Sequence, residues 1–340
     1  MHTVTLQPSG QQFQVEDGEA VLAAALRQGF ILPYGCKNGA CGSCKGKIIS
    51  GTVDYGVYQE KVLTPEEKMQ GKALFCQAKP LSDLVVEART VGAAKDIQVK
   101  KLPCRVQKME RLAEDVMVLH LKLPANEKLN FLAGQYIEFV LKDGSRRSFS
   151  IANPPHDADL IQLHVRHVAG GQFTDHVFDK MKERDILRCE GPLGTFFLRE
   201  DSDKPIVFVA SGTGFAPIKA VIEHMAHKGI SRPATLYWGG RRPKDLYMNA
   251  PQQWAAALSG FKYVPVISEA LPEDNWSGRT GFVHRAVMQD FPDLSAYQVY
   301  VCGVPVMVDS AKRDFIAQCG LPEEEFYADS FATQADLAKL

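Results

Sequence analysis

The stretch "PYGCKNGACGSCKGKIISG", from Pro33 to Gly51, restricts the fold of this chain more than any other. Cys36, Cys41 and Cys44 follow a C-x4-C-x2-C spacing, and Cys76 stands 32 positions further on. Three thiols held in one loop, with Gly35, Gly39, Gly42 and Gly46 between and around them, suit a backbone wrapped around a common centre. Such wrapping needs unusual φ values and close backbone approach, which glycine allows. The N-terminus "MHTVTLQPSG" lacks the basic and apolar regions of a signal peptide. A cytoplasmic protein is therefore expected, and there disulfides are rare. Zinc favours paired C-x2-C knuckles, whereas Cys76 has no nearby partner. Zinc and metal-free thiols are the weaker readings. A plant-type [2Fe–2S] cluster, with three thiolates from one loop and a fourth from a distant strand, is the stronger.

Beyond this first domain, the 340-residue chain reads as two further domains. Residues 3–15 suggest two strands around a turn, "EAVLAAALRQG" a helix stopped by Gly29, and "TPEEKMQG" a short helix capped by Thr64. "KGKIISG", "LFCQAKP" and "DLVVEAR" read as strands, completing a mixed α and β unit over 1–92. Residues 91–101 form a linker candidate. Over 101–200, short strands separated by turns predict an antiparallel barrel, with "FTDHVFDKM" its one helix. Over 204–340, strands and helices alternate, which predicts a parallel sheet covered on both faces. Basic and acidic residues nearly balance at 39 and 40, unlike a nucleic-acid binder. No apolar run reaches the roughly 20 residues that span a bilayer.

With "LFCQAKP", the cysteine loop resembles the ferredoxin domain of three-part reductases ordered ferredoxin, FAD barrel, NAD(P) domain. The likeness covers almost the whole chain. It implies a β-grasp [2Fe–2S] domain ligated by Cys36, Cys41, Cys44 and Cys76, and a ferredoxin-reductase-like remainder. Members serve bacterial oxygenases; CDP-6-deoxy-Δ3,4-glucoseen reductase of sugar deoxygenation is another relative.

Arg147-Ser148-Phe149-Ser150 resembles the family's R-x-[YF]-[ST] signature. It implies that Arg147 pairs with the FAD pyrophosphate, Phe149 packs on the flavin and Ser150 faces its N5. Arg offers a bidentate fork suited to phosphate. In "HVAGGQFTDHVF", Gly171 and Thr174 open a helix whose N-terminus suits a phosphate. "ASGTGFAP" follows an apolar strand and opens a helix. Gly212, Thr213, Gly214 and Pro217 match the family's G-T-G-x-A-P form, although Pro217 replaces the third glycine of the dinucleotide fingerprint. "VCGVP" matches a second signature, placing Cys302, Gly303 and Pro305 near the nicotinamide; by itself Cys302 reads rather as a core thiol at a strand end. In the C-terminal "FYADSF", Phe331 is assigned the aromatic beside the flavin, although nine residues follow it.

Gly239-Gly240-Arg241-Arg242 ends the second strand without an acid. An acid there would argue for NAD and an arginine can take a 2′-phosphate, yet NADH-using relatives also carry arginine, so NADH is favoured over NADPH. His164 and His167 read as strand and loop residues, and Lys37, Lys45 and Lys47 as a solvated rim. The chain thus reads as an NAD(P)H-dependent iron–sulfur flavoprotein reductase. Its expected acceptor is a separate protein, first an oxygenase component and second a deoxysugar dehydratase. No nucleic acid or membrane partner is expected, and a monomer is. The competing classes are a stand-alone flavin or dye reductase and a metal-binding redox sensor.

Overall fold

The computed structural model describes residues 1–88 and 97–331. Residues 91–96 of the linker candidate and the chain after Phe331 lie outside the described residues. Two compact units result, one from the N-terminus to Ile97 and one from Gln98 to Phe331.

In the first unit, β1 (His2–Gln7), β2 (Gln12–Val15), α1 (Val21–Arg27), β3 (Lys45–Ser50), β4 (Val53–Asp54), α2 (Pro65–Met69), β5 (Lys72–Leu74), β6 (Lys79–Pro80) and β7 (Leu84–Glu87) follow in order. The main sheet runs β2-β1-β7-β3-β5, with β1 and β7 parallel and the other pairs antiparallel. Val21, Leu22, Ala24 and Ala25 of α1 pack on Val4, Leu6, Phe13 and Phe75 to form its core. Thr64 caps α2 by accepting the Glu67 N–H, and Glu67 reciprocates at the Thr64 N–H.

The second unit begins with β8 (Lys100–Ala113), so Lys100 and Lys101 of the expected linker already belong to a strand. β9 (Val116–Lys122), β10 (Tyr136–Val140), β11 (Arg146–Ser150), β12 (Ile161–Arg166), α3 (Gln172–Asp179) and β13 (Ile186–Leu193) complete the barrel. Its order is β11-β10-β13-β8-β9-β12, and a bridge between Ile151 and Leu163 joins the outer strands.

The parallel sheet comprises β14 (Ile206–Ser211), α4 (Phe215–Lys228), β15 (Ala234–Gly240), α5 (Ala250–Ala257), β16 (Phe261–Ile267), β17 (Arg279–Thr280), α6 (Val283–Asp290), β18 (Gln298–Gly303), α7 (Pro305–Cys319) and β19 (Phe326–Ser330). Every pairing is parallel, in the order β17-β16-β15-β14-β18-β19. Along β14, Ile206, Phe208 and Ala210 face one buried cluster while Val207 and Val209 face another. Burial on both faces accounts for the unbroken apolar run "PIVFVAS". β14 and β18 are neighbours from which the strand order runs in opposite directions. Ligands of open α/β sheets settle beyond the carboxyl ends of such a pair.

Candidate functional site

The cysteine loop is held by backbone rather than side chains. Gly39 has φ +78°, and a Cβ there would stand 2.7 Å from the Val57 carbonyl oxygen. The thiols gather two by two. Cys36 and Cys41 hydrogen-bond each other, as do Cys44 and Cys76, raising the titration of Cys36 and Cys44 and lowering that of Cys41 and Cys76. Backbone N–H groups aim at the sulfurs: Cys36 N lies 3.4 Å from Cys41 Sγ, Asn38 and Ala40 face Cys36, and Gly39 faces Cys76. Among the described residues no three such side chains converge on one metal position. Two pairs of thiolates instead suit a centre of two metal ions bridged by sulfide, and N–H groups tune such sulfurs. The donor set therefore fits a [2Fe–2S] cluster better than mononuclear zinc.

Two local expectations change. Cys76 lies on a turn, not a strand, because Gln77 and Ala78 both donate N–H to the Leu74 carbonyl. Lys45 is salt-bridged to Glu67 at 2.7 Å rather than part of a solvated rim. Cys104, Cys189 and Cys319 are buried free thiols.

The two adjacent arginines of β11 divide their tasks. Arg146 is tied to Glu138 and Glu190, each at 2.9 Å. Arg147 extends toward α3, its Nη2 3.5 Å from Gln172 Oε1 at the helix start. A guanidinium beside a helix N-terminus is a fitting cradle for a pyrophosphate. Gly171 is the cap residue of α3. The Thr174 hydroxyl lies 2.9 Å from Val168 O and accepts the Val168 N–H at 3.2 Å, so it shapes this loop from within. Phe149 packs on Phe139 and Phe173 and stays half-buried. Ser148, between the signature residues, donates to Glu138.

Ser150 is buried and donates to Asp329 Oδ2 at 3.0 Å. Asp329 on β19 stands opposite Cys302 on β18, and the Phe331 N–H donates to the Gly303 carbonyl at 2.8 Å. Ser150, Cys302, Asp329 and Phe331 thus meet where barrel and parallel sheet join. Cys302 is fully buried, and burial, with the Asp329 charge adding to it, keeps the thiol protonated. Asp329 went unnoticed in the sequence, although it lies two positions before Phe331 in "FYADSF".

Gly212, Thr213 and Gly214 form a tight turn between β14 and α4, with Pro217 in the first turn of the helix. A Cβ on Gly214 would come within 2.2 Å of the Cys302 carbonyl oxygen, so the two loops at the switch point touch through backbone. Trp238 Nε1 donates to Gly212 O. Gly303 has φ +149° and lies against Ser211, while Pro305 begins α7. Beside Gly212, Arg166 carries Nε and Nη2 buried without a hydrogen-bond partner. Nε is 3.3 Å from Asp115 Oδ2 but poorly aligned with it. Orphaned guanidinium donors at a glycine turn fit the phosphates of a dinucleotide. His164, read as a plain strand residue, is buried and hydrogen-bonds Tyr247 at 2.8 Å.

Three family models match the chain: a 2Fe-2S iron-sulfur cluster binding domain over residues 4–81, an oxidoreductase FAD-binding domain over 103–198 and an oxidoreductase NAD-binding domain over 208–313. The CDP-6-deoxy-L-threo-D-glycero-4-hexulose-3-dehydrase reductase of Yersinia pestis is 42% identical, over 96% of this chain and 98% of that one. The reductase component 2 of terephthalate 1,2-dioxygenase from Comamonas is 35% identical, over 98% of each. Among solved structures, the Amycolatopsis cytochrome P450 reductase GcoB has a TM-score of 0.78 and 33% identity, covering 98% of this chain and 99% of that one.

Proposed function

Because this chain belongs to the family of reductases that join a [2Fe–2S] ferredoxin domain to FAD- and NAD-binding domains, we propose that it passes electrons from NADH to a dehydrase of CDP-deoxysugar synthesis. An oxygenase component is the second candidate. Identity of 42% to the dehydrase reductase against 35% to the dioxygenase reductase supports this order, the reverse of that expected from the sequence. The observation carrying the electron-transfer reading is the meeting of Ser150, Cys302, Asp329 and Phe331 beside the glycine turn of β14.

When bound, FAD converts a hydride into single electrons, and the cluster carries them one at a time. Cys36, Cys41, Cys44 and Cys76 would hold the cluster. Arg147 and the start of α3 would bind the FAD pyrophosphate, with Phe149 and Phe331 as aromatic neighbours of the ring. Ser150, oriented by Asp329, would present its hydroxyl at the reacting edge of the flavin. Gly212 to Gly214 with Arg166 would take the nicotinamide dinucleotide, Cys302 lining its far end as a neutral thiol. Arg241 would lie by the adenosine ribose. We place the protein in the cytoplasm, where its thiols stay reduced; among the described residues no helix is long and apolar enough to cross a membrane.

The test is anaerobic NADH oxidation by the purified holoprotein with each acceptor in turn. Turnover with the sugar dehydrase and its substrate, and none with a dioxygenase, is the expected result. The opposite pattern would reverse the assignment, and a protein that reduces dyes but neither acceptor would return it to the stand-alone class.

A further inference from the structure

In a sheet of this kind the end of the second strand meets the adenosine ribose, where a carboxylate favours a 2′-hydroxyl and a basic group a 2′-phosphate. After β15 comes Arg241-Arg242, two basic residues able to take a 2′-phosphate, with no acid at the strand end itself. In the folded chain the acids arrive from elsewhere. Backbone pairing of Ser268 N–H to Gly240 O and of Glu269 N–H to Arg241 O, both 2.9 Å, draws the segment after β16 over this strand end. There Arg242 donates Nε to Asp274 Oδ2 and Nη2 to Asp274 Oδ1, each at 2.7 Å. Glu273 Oε1 lies 3.4 Å from the same Nη2. Asp274 is itself fixed by the Leu271 N–H at 2.9 Å. The backbone N–H groups of Arg241 and Arg242 both go to Asp245 Oδ2, at 2.8 and 2.9 Å.

The Arg242 guanidinium and the backbone N–H groups of Arg241 and Arg242 are therefore engaged by three carboxylates of the chain itself. Bidentate pairing also fixes the guanidinium plane, so release requires losing two charge-assisted bonds. Consistent with this, the pair holds Arg242 above and Asp274 below its ordinary range. What remains is the exposed Arg241 and Lys244, the latter 3.6 Å from Glu114. Against them a phosphate dianion would meet Asp245, Glu273 and Asp274.

We propose that the Asp274–Glu273 clamp on Arg242 is a coenzyme-selectivity device, withholding the guanidinium from a 2′-phosphate so that the chain takes NADH and rejects NADPH. This rests on the reductase reading above, and the two can fail separately. The experiment compares wild-type holoprotein, Glu273→Gln, Glu273→Gln with Asp274→Asn, and that double variant with Arg242→Ala. Two readouts serve: the ratio of kcat/KM for NADPH and NADH with ferricyanide, and calorimetric binding of 2′,5′-ADP against 5′-AMP.

The double variant should raise the NADPH-to-NADH ratio about tenfold or more, mainly through KM, and tighten 2′,5′-ADP binding in step. Glu273→Gln alone, a change at an exposed side chain, should move both readouts the same way by less. Adding Arg242→Ala should abolish the gain. A rise below about threefold in the double variant, or a gain that survives Arg242→Ala, overturns the selectivity device while leaving the reductase intact. A protein that turns over neither nucleotide overturns both.

Discussion

Ser150 on the barrel and Asp329 on the last strand of the parallel sheet share a 3.0 Å hydrogen bond across 179 positions of chain. Both are buried, Ser150 5% and Asp329 9% exposed, so the bond is made largely away from water. A hydroxyl in that setting has its direction set by its acceptor, and Ser150 is the group expected at the reacting edge of the flavin.

Ser150→Ala should therefore slow hydride transfer about ten- to a hundredfold while FAD stays bound, the loss of a hydrogen bond worth about 1–3 kcal/mol. Asp329→Asn should give a smaller loss, since the amide oxygen still accepts. Stopped-flow reduction by NADH, followed at the flavin band, measures both. Equal rates in Ser150→Ala and wild type would remove the serine from the reaction.

Cys76→Ser should remove the cluster but leave FAD and hydride transfer, because the residues proposed for flavin and nicotinamide all lie in the second unit. NADH reduction of ferricyanide should persist as cytochrome c reduction falls sharply. Joint loss of both activities would contradict that separation.

Arg147→Ala should weaken FAD retention. The charge-assisted contact to phosphate is worth about 1.5–3 kcal/mol, or roughly ten- to a hundredfold in affinity. Full flavin content after extensive dialysis of the dilute variant would move the pyrophosphate elsewhere, Arg146 being already committed to Glu138 and Glu190.

Acid should destabilise the second unit through His164. Burial, helped by the charges of Lys219 and His120, pushes it down to about 3 from an ordinary 6.5. Below pH 6.5 the unfolded chain binds a proton that the folded chain refuses. This residue thus costs up to about 1.4 kcal/mol per pH unit on the way down to about 3, and nothing above 6.5. Urea unfolding followed by Trp238, Trp254 and Trp276, all in this unit, should show the decline between pH 6.5 and 5. His164→Gln should be less stable at pH 7.5, having altered the Tyr247 bond, yet flatter in acid. Parallel pH profiles would assign the decline to another group.

The features legible in the sequence are those written in short stretches. Thr64 and Pro65 spell the start of a capped helix in two adjacent positions. Alternation along "LIQLHVRHV" marks β12, and the apolar run "PIVFVAS" marks a strand buried on both faces. The C-x4-C-x2-C loop names its chemistry because three thiolates and the glycines between them fall within one short loop. Turn chemistry and hydrophobic period act over a few residues, so a linear reading suffices for them.

What the linear reading misplaced is equally specific. "LFCQAKP" has strand composition, yet Cys76 sits on a turn because Leu74 accepts two N–H groups. "GGRR" carries no acid, yet the fold brings Asp274 and Glu273 to it, beside Asp245 of the adjacent turn. Asp329 has no motif of its own, yet it orients Ser150. The chain by itself determined which cofactors its loops suit and where most of its strands and helices fall. Tertiary structure alone decided which carboxylate meets which hydroxyl or guanidinium. Those partners are 32 and 179 positions apart, and their pairing depends on strand order and backbone register, which no local propensity encodes.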